Sequence, residues 1–215
     1  TIPDLGDYQW PVNEGTGTTL NPSVGSVSAT TDGSWATESG PVGDNYLVLS
    51  DSQSVTTDSD VGSVQQMTVF GWIRPQLSSL GNFNHTFANN QDFNNNEDGW
   101  SVNDGGSEGV INTGVGGGSR GSGISDIQFV NTGVWGFFAL FQDGSQQKVI
   151  TWDNSNELED TGFVDVGSTP TNQNDSLLWG LGEYGNATMD IGIHGKANAL
   201  LSKDDLTTFW KSTQR

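Results

Sequence analysis

Three stretches of this chain constrain its fold more than anything else in it: MTVFGWIRP at 67–75, VWGFFALFQDG at 134–144 and MDIGIHGKANALLSKDDL at 189–206. In an extended strand, successive side chains point to opposite faces. From 67 to 73 both faces are apolar, with Met67, Val69 and Ile73 on one and Phe70 and Trp72 on the other. From 134 to 141 the pattern repeats, with Trp135, Phe137 and Phe141 opposite Val134, Phe138 and Leu140. A strand apolar on both faces is covered on both. Both runs are therefore expected as central strands, with a second sheet on one side and long loops on the other. The first run ends at Pro75 and the second in the turn dipeptide Asp143-Gly144. The third passes from a strand-like run into a helix. Ser202 and Asp205 have the spacing of a capping box. Leu206, Phe209 and Trp210 then lie at helical spacing and would dock one face of a short helix on the sheets.

The order of these pieces resembles the LamG-like jelly-roll domains of the concanavalin A-like lectin/glucanase superfamily. That family has a strand ending in W-x-x-P, a central strand that starts at Trp and runs into a DG hairpin, then a G-x-[IM]-D-x-x-[IV] strand and a short Leu-Ser helix. Here Trp72 and Pro75, Trp135 with Asp143–Gly144, then Asp190, Ile191, Ile193 and the helix from Ser202 occupy those places. YQWPVNEGTGT (8–18) is similar to the opening strand and turn, GDNYLVL (43–49) to the following edge, and Gly99–Val102 to the next strand. The second arm of the hairpin departs from the family's Tyr-Val-Asp-Gly and reads Lys148-Val149-Ile150-Thr151-Trp152-Asp153. The resemblance implies an all-β fold: a two-sheet antiparallel jelly-roll sandwich (concanavalin A-like) with a short C-terminal helix. The length of 215 residues suits one such domain over 1–215.

Eight Trp and ten Phe supply a core, since each aromatic buries roughly 150–250 Å². Thirty glycines fit many tight turns. The charge is lopsided: 26 acidic against 7 basic residues, for a formal net charge of −19. A small soluble domain usually carries a magnitude of roughly 2–8. Such a field opposes compaction, and at about 1 M salt, where the screening length is roughly 3 Å, that cost mostly disappears. Two readings fit: a protein built for very high salt, or an acidic extracellular domain of ordinary habitat. Seven dispersed basic residues cannot line a phosphate-binding groove, so nucleic acid is not an expected partner, nor is an anionic membrane. No apolar run approaches the roughly 20 residues of a membrane span, so no membrane insertion is expected. Without cysteine there are no disulfides, thiolate metal sites or cysteine nucleophiles. No secretory signal is read at Thr1, which leaves open a processed product, an excerpt of a longer protein or a particle component released by lysis.

The chemistry-bearing candidates are few. Glu157 and Glu159 would share a strand face, as glycosidase carboxylates do, but they stand among turn formers without the expected Glu-x-Asp-x-x-Glu or Glu-x-Asp-x-Glu pattern, so no catalytic residue is assigned. His85 and His194 belong to no triad or metal motif. The stretch GVGGGSRGSG (114–123) reads as a surface loop, because it lacks the Lys-Ser/Thr end of a phosphate cradle. Calcium wants converging oxygens at roughly 2.3–2.6 Å. Asp92, Asn94, Asn96 and Asp98 alternate like the start of an EF-hand, but Glu97 and Asn103 stand where that loop needs Gly and Glu. Asp44 and Asn45 precede the 46–49 strand where the resemblance implies Ca2+. The fold requires no cofactor, and Ca2+ is the one these two groups would hold. Sugars are recognised by an aromatic platform plus fixed polar groups, and Trp100, Trp152, Trp179 and Tyr184 lie near loops and could serve. Three sequons, at Asn84, Asn174 and Asn186, are no more than chance gives in such a composition.

The expected function is a non-catalytic, surface-exposed recognition or adhesion module of a halophilic extracellular or virion-surface assembly, with a glycan or surface protein as partner. The virion setting rests on the missing signal and on what the family commonly does on viral spikes and turrets. Two alternatives stay open: a structural decoration or capsid-associated homo-oligomer, and a polysaccharide-degrading glycoside hydrolase. The charge yields a direct test. Dilution from about 1 M salt to low salt without divalent cations should lower the melting temperature sharply; a transition indifferent to salt removes the halophile reading.

Overall fold

In a computed structural model of the chain, residues 2–38, 40–41, 43–50, 52–76, 86–89, 99–105, 107–115, 123–170, 176–180 and 188–214 are described. They form, in order, β1 (Tyr8–Trp10), β2 (Thr19–Leu20), β3 (Ala29–Thr31), β4 (Ser34–Ala36), β5 (Tyr46–Leu49) and β6 (Val55–Thr57). Then come β7 (Gln66–Gln76), β8 (Thr86–Asn89), β9 (Trp100–Asp104), β10 (Val110–Val115), β11 (Ile127–Gln128) and β12 (Gly136–Asp143). The chain continues through β13 (Gln146–Trp152), β14 (Glu157–Asp160), β15 (Val164–Asp165), β16 (Leu178–Trp179) and β17 (Thr188–Ala197) to α1 (Lys203–Thr213). The glycine-rich stretch begins inside β10, and its residues 116–122 lie outside the described ones.

Two antiparallel sheets stack. The first runs β14-β13-β12-β7-β17-β5-β4, with β1 also on β17 and β15 also on β13. The second runs β11-β10-β9-β8-β16-β6-β3-β2. The three long apolar strands lie side by side at the centre of the first sheet, with Leu140 opposite Val69 and Ile191 opposite Ile73. The hairpin joining β12 to β13 pairs Asp143 with Gln146 across Gly144-Ser145. Gly144 has φ +58°, the glycine-first loop that a two-residue hairpin favours.

Both faces of the central strands are covered, as their pattern requires. Met67, Val69, Ile73, Phe138 and Leu140 point into the core between the sheets. Phe70, Trp72, Phe137 and Phe141 point outward into a second cluster with Leu206, Phe209 and Trp210 of α1. The outer cover is therefore the helix, joined by Leu5, Leu200 and Leu201, rather than the long loops expected there. Ser202 caps α1: its hydroxyl accepts from the Asp205 amide at 3.0 Å and donates to the Asp205 carboxylate at 2.6 Å. The Trp210 indole donates to the Asp153 carbonyl at 2.9 Å.

Polar groups inside the sandwich are matched to partners. Thr113 of one sheet donates to Gln147 Oε1 of the other at 2.6 Å, and Gln147 in turn donates to Gln142 Oε1 at 2.9 Å. Lys196 is buried with its ammonium donating to the carbonyls of Val61 (2.7 Å) and Ser63 (2.8 Å) and to Asn198 Oδ1 (2.5 Å). His194, opposite Gly71, is fully enclosed. Its ring meets Trp179 edge-on at 5.0 Å and Phe138 at 6.0 Å, and a Cβ on Gly71 would come within 2.6 Å of it. The glycine is there because the imidazole takes the volume a side chain would need.

Burial pushes the His194 pKa down from 6.5 to about 3, against weaker upward pulls from the backbone at Gly192 and Phe87. The folded value lies below the unfolded one, so between the two the unfolded chain binds the proton first. Stability is complete above pH 6.5 and falls by about 1.4 kcal/mol per unit as the pH drops toward 3. Denaturant titrations between about pH 7 and 4.5, in about 1 M salt to suppress the general repulsion, should show this slope. In His194→Asn the slope over that window should largely vanish.

Candidate functional site: a guanidinium–carboxylate–aromatic cluster

The outward side chains of β7 read Thr68, Phe70, Trp72, Arg74, Gln76, changing from apolar to polar along one face. The change follows the helix above. Phe70 packs on Phe209 at 5.3 Å, and the Trp72 indole donates to the hydroxyl of Thr213, the last residue of α1, at 2.9 Å. Arg74 and Gln76 come next, past the end of that cover.

Arg74 is paired across the sheet with Asp190 of β17. Its Nε donates to Asp190 Oδ2 at 2.6 Å and a terminal nitrogen donates to the Tyr46 hydroxyl, also at 2.6 Å. Gln76 Nε2 donates to the same Asp190 oxygen at 2.7 Å. The Tyr46 hydroxyl donates onward to Glu38 Oε2 at 3.2 Å. The guanidinium lies over two rings, 4.8 Å from the centre of Tyr46 and 5.2 Å from that of Trp135. Those rings meet edge to face at 5.6 Å. The Asp190 side chain is 3% exposed and that of Arg74 19%.

Burial would lower the Arg74 pKa, but the hydrogen bond and charge of Asp190 outweigh it and leave it raised. Burial raises that of Tyr46, which Arg74 opposes and the Asp190 and Glu38 carboxylates reinforce. The phenol is therefore a neutral donor and the guanidinium a fixed cation at physiological pH. Such an array presents fixed polar atoms beside a partly exposed indole. Its chemistry suits holding and orienting a ligand, and Asp190 Oδ2 is occupied by two donors.

The sequence candidates fare differently. Trp100, Trp152 and Trp179, expected as sugar platforms, are at most 1% exposed, so the structure corrects that expectation. Trp152 stacks on Trp210 at 6.1 Å beneath α1, and Trp179 packs against Trp10 at 5.2 Å between the sheets. Tyr184 lies outside the described residues, as do Asp92, Asn94, Asn96 and His85. Asp44 is exposed, while the Asn45 amide donates to the Asn13 carbonyl at 3.3 Å. Among the described residues, no three His, Cys, Asp or Glu side chains converge to hold a metal ion. Glu157 and Glu159 do not face a common cleft. A register shift between Thr151 and Trp152 separates them, so Glu157 reaches Lys203 of α1 at 2.8 Å while Glu159 accepts from the Gln128 amide of the second sheet.

Sequence reasoning used Trp135 and Asp190 only as fold markers. The signal that could have singled out Trp135 is its position at the mouth of a strand whose outward neighbour on β7 is charged. Of the eight tryptophans, six are at most 4% exposed; only Trp35 and Trp135 are half-buried. The Trp135 Nε1–H is enclosed without an acceptor, as are those of Trp152 and Trp179. Each such donor costs about 1–3 kcal/mol.

No protein-family model and no curated protein sequence matches the chain. Solved structures do. The binding domain of botulinum neurotoxin DC in complex with SialylT is similar over all of this chain and 53% of its own length, at 16% identity and TM-score 0.69. The same domain in complex with rat synaptotagmin II matches 96% of this chain and 51% of its own, at 15% identity and TM-score 0.67. The binding domain of Paraclostridial Mosquitocidal Protein 1 matches 96% and 52%, at 13% identity and TM-score 0.66. This chain thus spans about half the length of each. At such identity the likeness is one of fold.

The cluster's energetics are testable. Arg74→Met leaves a buried carboxylate with one donor fewer and should cost about 3 kcal/mol, the low end for a broken buried pair because Arg74 is partly exposed. Arg74→Met combined with Asp190→Leu should recover most of it in urea titrations.

Proposed function

We propose that this chain is a non-catalytic recognition module of the LamG-like, concanavalin A-like kind, exposed on an extracellular or virion-surface assembly of a high-salt habitat, with a glycan or a surface protein as its partner. The observation that carries this reading is the state of the side chains that could do chemistry. Asp190, Glu157, Glu159, Asp160 and His194 are all engaged in holding strands, helix or core, while an aromatic and polar cluster remains at the surface. A hydrolase needs two carboxylates aimed into one cleft, roughly 5–9.5 Å apart. The carboxylates nearest to that description, Glu157 and Glu159, bind opposite layers. Neighbours of the same fold are binding domains, seen in complex with SialylT and with rat synaptotagmin II, which supports recognition of either class of partner.

The surface charge fits a hypersaline setting. Ca2+ at Asp44 and Asn45 belongs to this proposal only as a ligand of the exposed turn. A second reading, a decoration protein packed in a symmetric oligomer, has one observation in its favour. Phe163 and Val164 are adjacent, 45% and 38% exposed, at the rim of the first sheet.

The test uses the purified chain in about 1 M salt. It is offered to a glycan array and to surface proteins, and in parallel to soluble polysaccharides with a reducing-end assay. Saturable binding without release of reducing ends is expected. Sustained release overturns the non-catalytic assignment. A trimer or larger ring that binds neither class overturns recognition in favour of decoration.

A further inference from the structure

We propose that the outer face past the end of α1, centred on Trp135 and rimmed by Arg74, Gln76 and Glu38, is the glycan-binding site, and that its ligand is an uncharged pyranose rather than a sialylated or uronic-acid glycan. This rests on the recognition reading and gives it a place and a ligand class.

The place follows by elimination and then by chemistry. A sugar platform needs an accessible flat ring with fixed polar groups beside it. Six of the eight tryptophans are closed off in the two cores. Trp35 stands on the edge strand β4 opposite Leu47, packs against the core between the sheets and donates to the Gly17 carbonyl at 2.8 Å. Trp135 also packs partly on a core, the outer cluster, but it follows the exposed Val134 and has a guanidinium, a phenol, an amide and two carboxylates in one hydrogen-bonded set around it. Arg74 lies over the indole and is itself locked by Asp190 and Tyr46, so the ring is held in place before any ligand arrives. Preorganisation of this kind lowers the ordering cost of binding.

The ligand class follows from the charge. The set holds one cation and two carboxylates, Arg74 against Asp190 and Glu38. Arg74 already directs its Nε and one terminal nitrogen at Asp190 and Tyr46. Elsewhere Lys148 and Lys203 are bound to Asp160, and Lys196 is buried. Among the described residues of the set one cation stands against two carboxylates, so a carboxylated sugar would approach a net negative site on a chain of charge −19. An uncharged pyranose lays its apolar face on the ring and offers hydroxyls to Gln76 and Glu38, which provide a donor and an acceptor.

The experiment pairs the intact chain with an array of neutral hexose oligosaccharides and their sialylated forms, 3′-sialyllactose beside lactose among them, with calorimetry on the hits. Each neutral hit should bind at least about tenfold more tightly than its sialylated form at about 0.1 M salt. Trp135→Ala should weaken binding by about tenfold or more, and Gln76→Ala by a smaller factor. Trp35→Ala should leave it unchanged, with far-UV dichroism as the control for folding. Should Trp135→Ala fail to fold, Gln76→Ala decides the site. Equal or tighter binding of sialylated forms overturns the ligand class. Neutral-sugar binding that persists in the folded Trp135 and Gln76 variants overturns the site while leaving recognition intact. Binding of no glycan at all overturns site and ligand together, and leaves only a protein partner for the recognition module.

Discussion

Everything in this structure answers to a three-strand ribbon that is oily on both sides. β17, β7 and β12 lie side by side, and none offers solvent a polar face along its middle. One cover is the second sheet; the other is a helix that the chain adds at its end. Moving outward, the pattern relaxes. β14 and β15, at the rim beyond β13, carry Glu157, Glu159, Asp160 and Asp165. Charged side chains on an edge discourage pairing with another chain, so the rim is defended where the centre cannot be. Part of the acidic excess is thus placed on the sheet edge.

Several polar side chains inside the sandwich are matched to one another across the layers. Gln142, Gln147 and Thr113 pass hydrogen bonds from one sheet to the other, which fixes the offset between the layers in a way that apolar contacts alone do not. Lys196 ties the 61–63 segment to β17 through three oxygens. His194 is less well served: a titratable ring surrounded by Trp179, Phe138 and the bare backbone of Gly71, its Nε2 without a partner as is the Trp179 indole N–H. Its neutrality is a condition of the core, so the interior is sensitive to acid.

What could be read from sequence was local. Alternation along 67–73 and 134–141 placed two central strands, and Ser202 with Asp205 placed the helix start, because each signal is complete within a few residues. The tryptophans could not be sorted that way. Trp135 and Trp152 lie on the two arms at the open end of one hairpin and on the same outer face, yet the second is buried under α1 and the first only half-buried. Which one is buried depends on where a helix some fifty residues later comes to rest. The Arg74–Asp190 pair is likewise 116 residues apart in sequence and adjacent only through the register of β7 and β17. Strict alternation would put Glu157 and Glu159 on one face, and a single bulge sends the two carboxylates to different layers.

The cluster's location follows from a mismatch of lengths. β7 has eleven residues and so spans about 37 Å at roughly 3.4 Å each. α1 also has eleven, but at 1.5 Å per residue it spans only about 16 Å. A helix of this length cannot shield the outer face of that strand from end to end, whatever its crossing angle. Beyond the contact of Trp72 with Thr213 that face of β7 turns polar. The chain continues the same face with Arg74 and Gln76 and backs them with Asp190 and Tyr46, a set that satisfies itself by hydrogen bonds and needs no lid. The indole of Trp135 lies where the oily and polar parts of the face meet, half-covered by a guanidinium. At that border an aromatic ring and fixed hydrogen-bonding groups lie side by side.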